Sequence, residues 1–179
     1  KLVNDIQMDS RKVTASSVFV AISGVQVDGH HFIDTAIEKG ATVIVCEKLP
    51  GVTVPGVTYL MVENTSVAVA IMAHQFYNEP SNKIKLVGIT GTNGKTTVAT
   101  LLFKLFKGLG YTCGLISTVE NHIADTIVPA THTTPDAIHL NALLDKMVQA
   151  GCTHVFMEVS SHAIHQHRVT GLNFTGGVF

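Results

Sequence analysis

Short apolar runs alternate with segments of helical periodicity along the first part of the chain. Residues 18–22, 42–46 and 58–62 are apolar runs bounded by glycine, proline or polar residues, which predicts three strands, the first of them buried. Apolar residues recur at helical spacing over residues 32–37, and Gly40 is expected to end that helix.

A second helix is predicted over residues 65–77, with Thr65 or Ser66 as its N-cap. The segment that follows, residues 78–83, is polar and contains a proline, as is typical of a linker. We therefore expect a domain boundary at its end.

The second half of the chain repeats a regular strand–helix order. Its predicted elements are, in sequence, a strand at 84–90, a helix at 95–109, a strand at 112–117, a helix at 135–150 and a strand at 153–159. This order predicts right-handed crossovers and a parallel sheet. The sequence thus predicts an N-terminal domain of residues 1–83 and a second domain over residues 84–179.

The last residues have the pattern of a strand that is only beginning. Residues 174–179 lead from a polar stretch into an apolar pair without a turn or a polar tail. A parallel sheet with three or four strands is incomplete, so we expect the sequence to be a fragment of a longer protein.

Composition excludes several classes of protein. The 179 residues are 46% hydrophobic and 14% charged, and 12 Lys and Arg residues nearly balance 13 Asp and Glu residues. The formal charge of −1 gives no general attraction to nucleic acid or to an anionic membrane surface. High apolar content argues against disorder. No apolar run approaches the ~20 residues that span a bilayer, and the first residues lack the layout of a signal peptide.

Cysteine usage points to a reducing compartment. Cys46, Cys113 and Cys152 lie far apart and form no Cys-x-x-Cys motif. We therefore expect neither a disulfide framework nor a cysteine zinc site. The same cysteine usage favours a cytoplasmic location.

The strongest chemical signal lies between the strand at 84–90 and the helix at 95–109. The segment consists of Gly91, Thr92, Asn93, Gly94, Lys95, Thr96 and Thr97. Its glycines allow successive N–H groups to point at phosphate oxygens, and the helix N-terminus adds partial positive charge. Lys95 would reach the β- and γ-phosphates, and the Thr96 hydroxyl would bind Mg²⁺. The general phosphate-loop pattern has glycine where this chain has Ile89, so a plain strand-to-helix turn is the alternative.

An acidic residue follows on the last predicted strand. Glu158 lies at the carboxyl end of that strand, which places it on the same sheet edge as the phosphate loop. We expect Glu158 to bind Mg²⁺ directly or through water, and a solvent-facing glutamate is the alternative.

Two polar loops are further candidates. In residues 131–136, Thr133 or Thr134 is expected as an N-cap with Pro135 at the first helical position, and the loop also belongs to the ligand edge of the sheet. In the second loop, Ser160 to Arg168, adjacent serine and histidine are not placed as a nucleophile and its base, and the histidines lack zinc-ligand spacing. Most of these histidines are expected at the surface, whereas Arg168 suits a phosphate or carboxylate.

Several segments together resemble the opening of the Mur ligase family. They are Met-Asp-Ser-Arg (8–11), Val-Phe-Val-Ala-Ile (18–22), Asp-Gly-His (28–30), Gly-Thr-Asn-Gly-Lys-Thr-Thr (91–97), Thr-Thr-Pro (133–135), Met-Glu-Val-Ser-Ser-His (157–162) and Gln-His-Arg (166–168). The resemblance covers nearly the whole chain, and the family's shortened phosphate loop accounts for Ile89. It implies an α/β fold in which a small N-terminal α/β domain precedes a truncated parallel-sheet domain of the phosphate-loop ATPase type.

The resemblance is strongest to members that add a diamino acid to UDP-MurNAc-L-Ala-D-Glu, a peptidoglycan precursor. It implies ATP and Mg²⁺ as cofactors, Lys95 as a catalytic residue, and Thr96 and Glu158 as metal ligands. It also implies substrate contacts, from uridine to dipeptide, by Met8, Ser10, Val25, Gln26, Val27, His132, Thr133, Thr134, Ser160, Gln166 and Arg168. The added residue could be meso-diaminopimelate or L-lysine, since the part that selects it in the family lies outside this sequence.

Other interpretations remain open on the sequence alone. Segments that carry a metal-binding histidine and a carbamylated lysine in the family are absent here, so we expect the 179 residues to be inactive alone. A folylpolyglutamate synthase-like enzyme shares the phosphate loop, and a non-catalytic UDP-nucleotide-binding module would leave that loop idle. A regulatory GTPase is disfavoured because no Asn-Lys-x-Asp guanine motif is present. We expect a monomer that does not bind nucleic acid and does not insert into a membrane.

Overall fold

The computed structural model describes residues 3–24 and 27–179. The chain divides into two compact units, the first ending at Val69 and the second beginning at Ala70. This division lies upstream of the boundary expected at residue 83, which remains a prediction.

The first unit contains a parallel sheet with one helix between its middle strands. Its elements are β1 (Asp5–Gln7), β2 (Ser17–Val20), α1 (Ile33–Glu38), β3 (Val43–Cys46) and β4 (Thr58–Met61), and α2 (Thr65–Phe76) begins in it. The strand order is β1-β2-β3-β4, and every neighbouring pair is parallel. The three strands predicted from apolar runs are confirmed. β1 was missed because its three residues include a single buried side chain, Ile6.

Apolar side chains of the central strands pack against α1. The buried cluster is formed by Val13, Phe19, Ala21, Ile33, Ala36, Ala41, Ile44 and Cys46. Gly40 follows the helix with a φ of +103°, a left-handed conformation that glycine adopts without steric cost. The helix end predicted from that glycine is therefore confirmed.

The second unit is built on a mixed sheet. Its elements after α2 are β5 (Lys85–Ile89), α3 (Lys95–Gly108), β6 (Cys113–Ile116), β7 (Glu120–Ile123), β8 (Thr126–Pro129), α4 (Ala137–Gln149), β9 (His154–Glu158), α5 (Ser161–His165) and β10 (Gly176–Val178). The strand order is β10-β5-β9-β6-β7-β8. The first four strands in this order are parallel, as predicted, whereas β7 and β8 run antiparallel to their neighbours.

Successive residues of β9 point to opposite faces of the sheet, and a different helix covers each face. Phe156 packs with Ala99 and Phe103 of α3. Val155 and Met157 pack instead with the α4 side chains Leu140, Leu144 and Met147. This three-layer packing fixes the carboxyl ends of β5, β9 and β6 side by side.

Two helix caps differ from the prediction. The side chain of Asn64 accepts the Val67 N–H at 3.0 Å, so neither Thr65 nor Ser66 caps α2. The Asp136 carboxylate caps α4 by accepting the N–H groups of the next turn at 3.0 and 3.1 Å. Helix α4 therefore begins later than a cap at Thr133 or Thr134 would require.

The α-helices are short, and α3, with 14 residues, is longer than the other described helices. Within residues 3–24 and 27–179, none of them has the length and apolar character needed to cross a membrane.

Gly29 makes a close backbone approach in the first unit. A Cβ atom there would lie 2.7 Å from the Ile22 nitrogen and 2.8 Å from the Ile22 oxygen. Because both are backbone atoms, Gly29→Ala should lower the free energy of unfolding by about 1–3 kcal/mol in urea denaturation. Gly51→Ala, which meets nothing within 4 Å, is the control and should change stability by less than about 0.5 kcal/mol. Equal changes in stability for the two variants would show that the close backbone approach at Gly29 is not the cause.

A buried histidine should make the stability of the second unit depend on pH. The His74 Nε2 lies 2.8 Å from Ser81 Oγ, which also accepts the Asn173 N–H at 2.9 Å. Burial lowers the pKa of the His74 imidazole, and the Glu79 carboxylate acts in the opposite direction. Below about pH 6.5 the unfolded chain gains a proton at this position that the folded chain resists, so stability falls as the pH decreases.

The check is the free energy of unfolding of wild type and His74→Gln at pH 7.5 and 5.5. The wild type should lose more stability on acidification than the variant, by at most about 1.4 kcal/mol per pH unit. Identical pH slopes would show that His74 does not contribute.

Candidate functional site

The loop between β5 and α3 has the backbone that a phosphate site requires. Gly91 and Gly94 have φ values of +132° and +81°, which residues with a Cβ rarely adopt. Gly94 is the N-cap of α3 and supplies no side-chain oxygen to the helix. Within the described part of the chain, the N–H groups of residues 92–97 have no hydrogen-bond partner. They form a set of free donors at a helix N-terminus, where anions bind favourably.

Lys95 lies across this loop. Its ammonium Nζ donates to the Gly91 carbonyl at 2.8 Å, and the residue is half-buried. The positive charge is therefore held beside the free N–H groups rather than extended into solvent.

Glu158 is buried, with only 1% of its surface exposed. Its Oε1 accepts the Thr96 hydroxyl at 2.9 Å and the Thr118 N–H at 2.7 Å. The solvent-facing alternative for Glu158 is thereby excluded. A carboxylate removed from water in this way requires such donors.

Thr118 was missed by the sequence analysis. It lies two residues after the end of β6, and its hydroxyl lies 3.2 Å from Glu158 Oε2 and 3.0 Å from Thr133 Oγ1. The available signal was a hydroxyl residue at the carboxyl end of a predicted parallel strand, the same criterion that identified Glu158.

The loop before α4 is attached to the end of β9. Thr134 is buried, and its hydroxyl donates to the Glu158 carbonyl at 2.8 Å and accepts the Ser160 N–H at 3.2 Å. Thr133 is half-buried beside Thr118, whereas His132 is exposed. The loop is thus fixed at Thr134 and presents its neighbours toward the same sheet edge as Glu158.

Ser160, Gln166 and Arg168 lie around the short helix α5. The Ser160 hydroxyl accepts the Ala163 N–H at 3.2 Å and so caps this helix. The Arg168 guanidinium donates to the Gln166 side-chain oxygen at 2.6 and 3.0 Å, and to the Thr134 carbonyl at 2.7 Å. Arg168 therefore joins the end of α5 to the loop before α4.

These elements surround one cavity of about 670 Å³. Its lining residues are Thr90, Gly91, Thr92, Asn93, Gly94, Lys95, Thr96, Thr118, Thr133, Glu158, Ser160, Ser161, His162 and Phe179. The structure thus brings together the loop of residues 91–96, Glu158, Thr133 and Ser160, while Thr97, His132, Thr134, Gln166 and Arg168 are not in the lining.

The oxygen atoms in this cavity fit Mg²⁺ better than a transition metal. Thr96 offers a hydroxyl and Glu158 a carboxylate, which are hard oxygen ligands. Among the described residues, no group of three or more His, Cys, Asp or Glu side chains could hold a metal. The donor set therefore fits an ion that completes its shell with water and phosphate oxygens, as Mg²⁺ usually does.

The remaining predicted substrate residues belong to the first unit. Ser10 is buried in a short 3-10 helix capped by Asp9, Met8 is half-buried and Val27 is exposed. Arg11 pairs with Asp9 and lowers the pKa of that carboxyl to about 2. The predictions for Val25 and Gln26 lie outside the described residues.

A hydrogen-bond network holds the ends of the loop around Val27. His30 Nδ1 lies 2.6 Å from the Asp28 carboxylate, and its Nε2 accepts the Glu47 N–H at 2.9 Å. The Glu47 carboxylate accepts the Ser23 hydroxyl at 2.9 Å and the Thr65 N–H at 2.9 Å. Hydrogen bonds through His30 thus join the Asp28–His30 segment to Glu47.

Models of two protein families match the chain. The Mur ligase family, catalytic domain, matches residues 3–91, and the Mur ligase middle domain matches residues 89–179.

Similar curated proteins are diaminopimelate ligases. The chain is 57% identical over 178 residues to the UDP-N-acetylmuramoyl-L-alanyl-D-glutamate--2,6-diaminopimelate ligase of Cytophaga hutchinsonii, covering 99% of this chain and 37% of that protein. It is 53% identical over 177 residues to the ligase of the same name from Bacteroides fragilis, covering 99% of this chain and 36% of that protein. The chain thus spans little more than a third of the length of these relatives.

Solved structures of ligases share the fold. A UDP-N-acetylmuramoyl-L-alanyl-D-glutamate--2,6-diaminopimelate ligase superimposes with a TM-score of 0.82 at 25% identity, covering 99% of this chain and 36% of that one. The MurF ligase of Thermotoga maritima, solved in complex with ADP, gives a TM-score of 0.57 at 25% identity, covering 88% and 32%. The middle-domain model alone matches residues 89–179, which is more than half of the 179 residues, so the chain belongs to the Mur ligase family.

Proposed function

We propose that this chain is the ATP-binding and UDP-substrate-binding part of a ligase that adds a diamino acid to UDP-MurNAc-L-Ala-D-Glu. The observation that carries the proposal is the cavity in which the glycine-bounded loop, Lys95, Thr96 and the buried Glu158 meet. The names of the similar curated proteins support the substrate, and they favour diaminopimelate over lysine as the added residue.

ATP is proposed to bind with its phosphates on the loop of residues 91–97. The unpartnered N–H groups there would donate to phosphate oxygens, with the N-terminus of α3 adding partial positive charge. Lys95 would exchange the Gly91 carbonyl for a β- or γ-phosphate oxygen with a small movement of its side chain. A similar ligase was solved in complex with ADP, which supports an adenine nucleotide as the ligand.

The proposed reaction has two steps. An oxygen of the D-Glu carboxylate attacks the γ-phosphorus, the bond to the bridging oxygen breaks, and ADP leaves with that electron pair. The diamino acid amine then attacks the acyl phosphate carbon, and inorganic phosphate departs as the amide forms. Phosphoryl transfer of this kind depends mainly on positioning and charge neutralisation.

Thr96 and Glu158 are the residues proposed to hold Mg²⁺. When bound, the ion supplies positive charge that neutralises the phosphate oxygens. Lys95 adds a second positive charge from the opposite end of the loop, so this chain's contribution to catalysis is electrostatic.

Substrate contacts are proposed in both units. In the first unit, Met8, Ser10 and the loop containing Val27 would bind the uridine end. In the second, Thr133 and Ser160 line the cavity and are best placed to contact the muramoyl-dipeptide. Thr134, with its hydroxyl already engaged, would position this loop. We also propose that the same substrate contacts His132, Gln166 and Arg168. The reaction is proposed to take place in the cytoplasm.

Replacing Lys95 separates an ATP site from an idle loop. Lys95→Ala removes a charge-assisted hydrogen bond worth about 1.5–3 kcal/mol, so ATP affinity should fall about ten- to hundredfold in calorimetric titration with Mg²⁺ present. Lys104→Ala, an exposed lysine on the same helix, is the matched control and should retain wild-type affinity. If the chain is a non-catalytic UDP-binding module, both variants will behave like the wild type.

The substrate is tested by titrating UDP-MurNAc-L-Ala-D-Glu into the same chain, with UDP-glucose as the comparison ligand. The full substrate should bind more tightly because only it carries the muramoyl-dipeptide that the second unit is proposed to contact. Lys95→Ala should leave this affinity unchanged, since Lys95 is assigned to ATP. Equal affinity for the two nucleotides in a folded chain would contradict the proposed specificity.

A further inference from the structure

The two oxygens of the Glu158 carboxylate have different surroundings. Oε1 accepts two hydrogen bonds, from the Thr96 hydroxyl at 2.9 Å and the Thr118 N–H at 2.7 Å. Oε2 accepts one, from the Thr118 hydroxyl at 3.2 Å. A carboxylate oxygen has two lone-pair sites, so Oε2 retains capacity for a further partner while Oε1 is saturated.

Thr118 supplies the donors that create this difference. Its N–H and its hydroxyl reach opposite oxygens of the same carboxylate, which fixes the rotation of the group about its last side-chain bond. That torsion is otherwise broad and weakly restrained. Among the described residues that hydrogen-bond to the Glu158 carboxylate, only Thr118 contacts both oxygens.

The Thr118 hydroxyl has an alternative acceptor. Thr133 Oγ1 lies 3.0 Å away, slightly closer than Glu158 Oε2 at 3.2 Å. A hydroxyl carries one proton and donates to one acceptor at a time. The Thr118 O–H group can therefore turn from Glu158 Oε2 to Thr133 Oγ1 by rotation about one bond, without movement of the backbone.

We propose that Thr118 is a positioning residue for the metal-binding carboxylate, which orients Glu158 so that Oε2 is the oxygen available to Mg²⁺. The inference rests on the proposed function, in which Glu158 and Thr96 hold that ion. Oε2 would take up the cation through its remaining lone-pair site while it keeps the hydrogen bond from the Thr118 hydroxyl. The contact of Thr118 with Thr133 also connects the metal ligand to the loop before α4.

The expected size of the effect follows from the general behaviour of residues that orient metal ligands. Loss of such a partner typically weakens metal affinity 10- to 100-fold. Removing the Thr118 hydroxyl leaves its backbone N–H on Oε1, so the carboxylate stays in place but its rotation is less restrained. The loss should appear in metal-dependent binding alone.

The experiment measures ATP affinity of the 179-residue chain with Mg²⁺ and with EDTA in place of the metal. Thr118→Val and Thr118→Ala should weaken binding in Mg²⁺ by about 10- to 100-fold and leave binding in EDTA unchanged. Thr118→Ser, which restores the hydroxyl, should recover wild-type affinity in Mg²⁺. Thr126→Val, at an exposed position on β8, is the control for the substitution itself and should match the wild type in both conditions.

The outcomes separate this inference from the proposed function. If the wild type binds no ATP in either condition, the proposed function fails and the inference fails with it. If the wild type shows Mg²⁺-dependent binding and the Thr118 variants share it, the inference alone is overturned. An equal loss in Mg²⁺ and EDTA would mark Thr118 as a structural residue and would also overturn it.

Discussion

One buried carboxylate requires hydrogen-bond donors, and this requirement brings together the loops around the cavity of the second unit. Glu158 lies at the end of β9 with 1% of its surface exposed, where an unpaired charge would cost several kcal/mol. Its donors come from two other elements, Thr96 at the start of α3 and Thr118 after β6. A third segment, the loop before α4, is attached to the same residue through Thr134 and the Glu158 carbonyl. Three loops distant in sequence are therefore positioned by a single side chain and its backbone.

The sheet makes this arrangement possible because β5, β9 and β6 are parallel neighbours. Their carboxyl ends meet at one edge, so the loops that follow them converge without any special feature of the loops themselves. The two apolar clusters on opposite faces hold the strands in this register. The apolar packing that supports the strands around the cavity therefore does not involve the polar side chains that line it.

Much of this architecture could be predicted because apolar runs and helical periodicity are local signals. The loop of residues 91–97 and Glu158 were predicted to share one sheet edge from their positions at strand ends, and the parallel order of the central strands followed from the alternation of element types. The antiparallel hairpin β7–β8 was missed because its strands are short and partly exposed and therefore carry no apolar run. Thr118 was missed for a different reason. Its position at the end of a predicted strand was a usable signal, but its hydrogen bond to Glu158, forty positions away, is not encoded by a local pattern.

The helix caps illustrate the same limit on a smaller scale. Thr133, Thr134 and Asp136 are all acceptable capping residues, and the sequence does not distinguish among them. The burial of the Thr134 hydroxyl against the end of β9 decides the matter, because it withdraws Thr134 from capping and leaves the role to Asp136.

The hydrogen bond from Lys95 to the Gly91 carbonyl has a thermodynamic consequence for ligand capture. A free lysine side chain loses up to about 2 kcal/mol of conformational entropy when it is fixed in place. Here that ordering already accompanies folding, since the ammonium is anchored at the loop before any phosphate arrives. In the proposed ATP complex, a phosphate oxygen would replace the Gly91 carbonyl oxygen as the acceptor, so the number of hydrogen bonds from Nζ would be conserved. The proposed phosphate site is therefore preorganised at Lys95, and little of the electrostatic attraction to an anion would be spent on ordering this side chain.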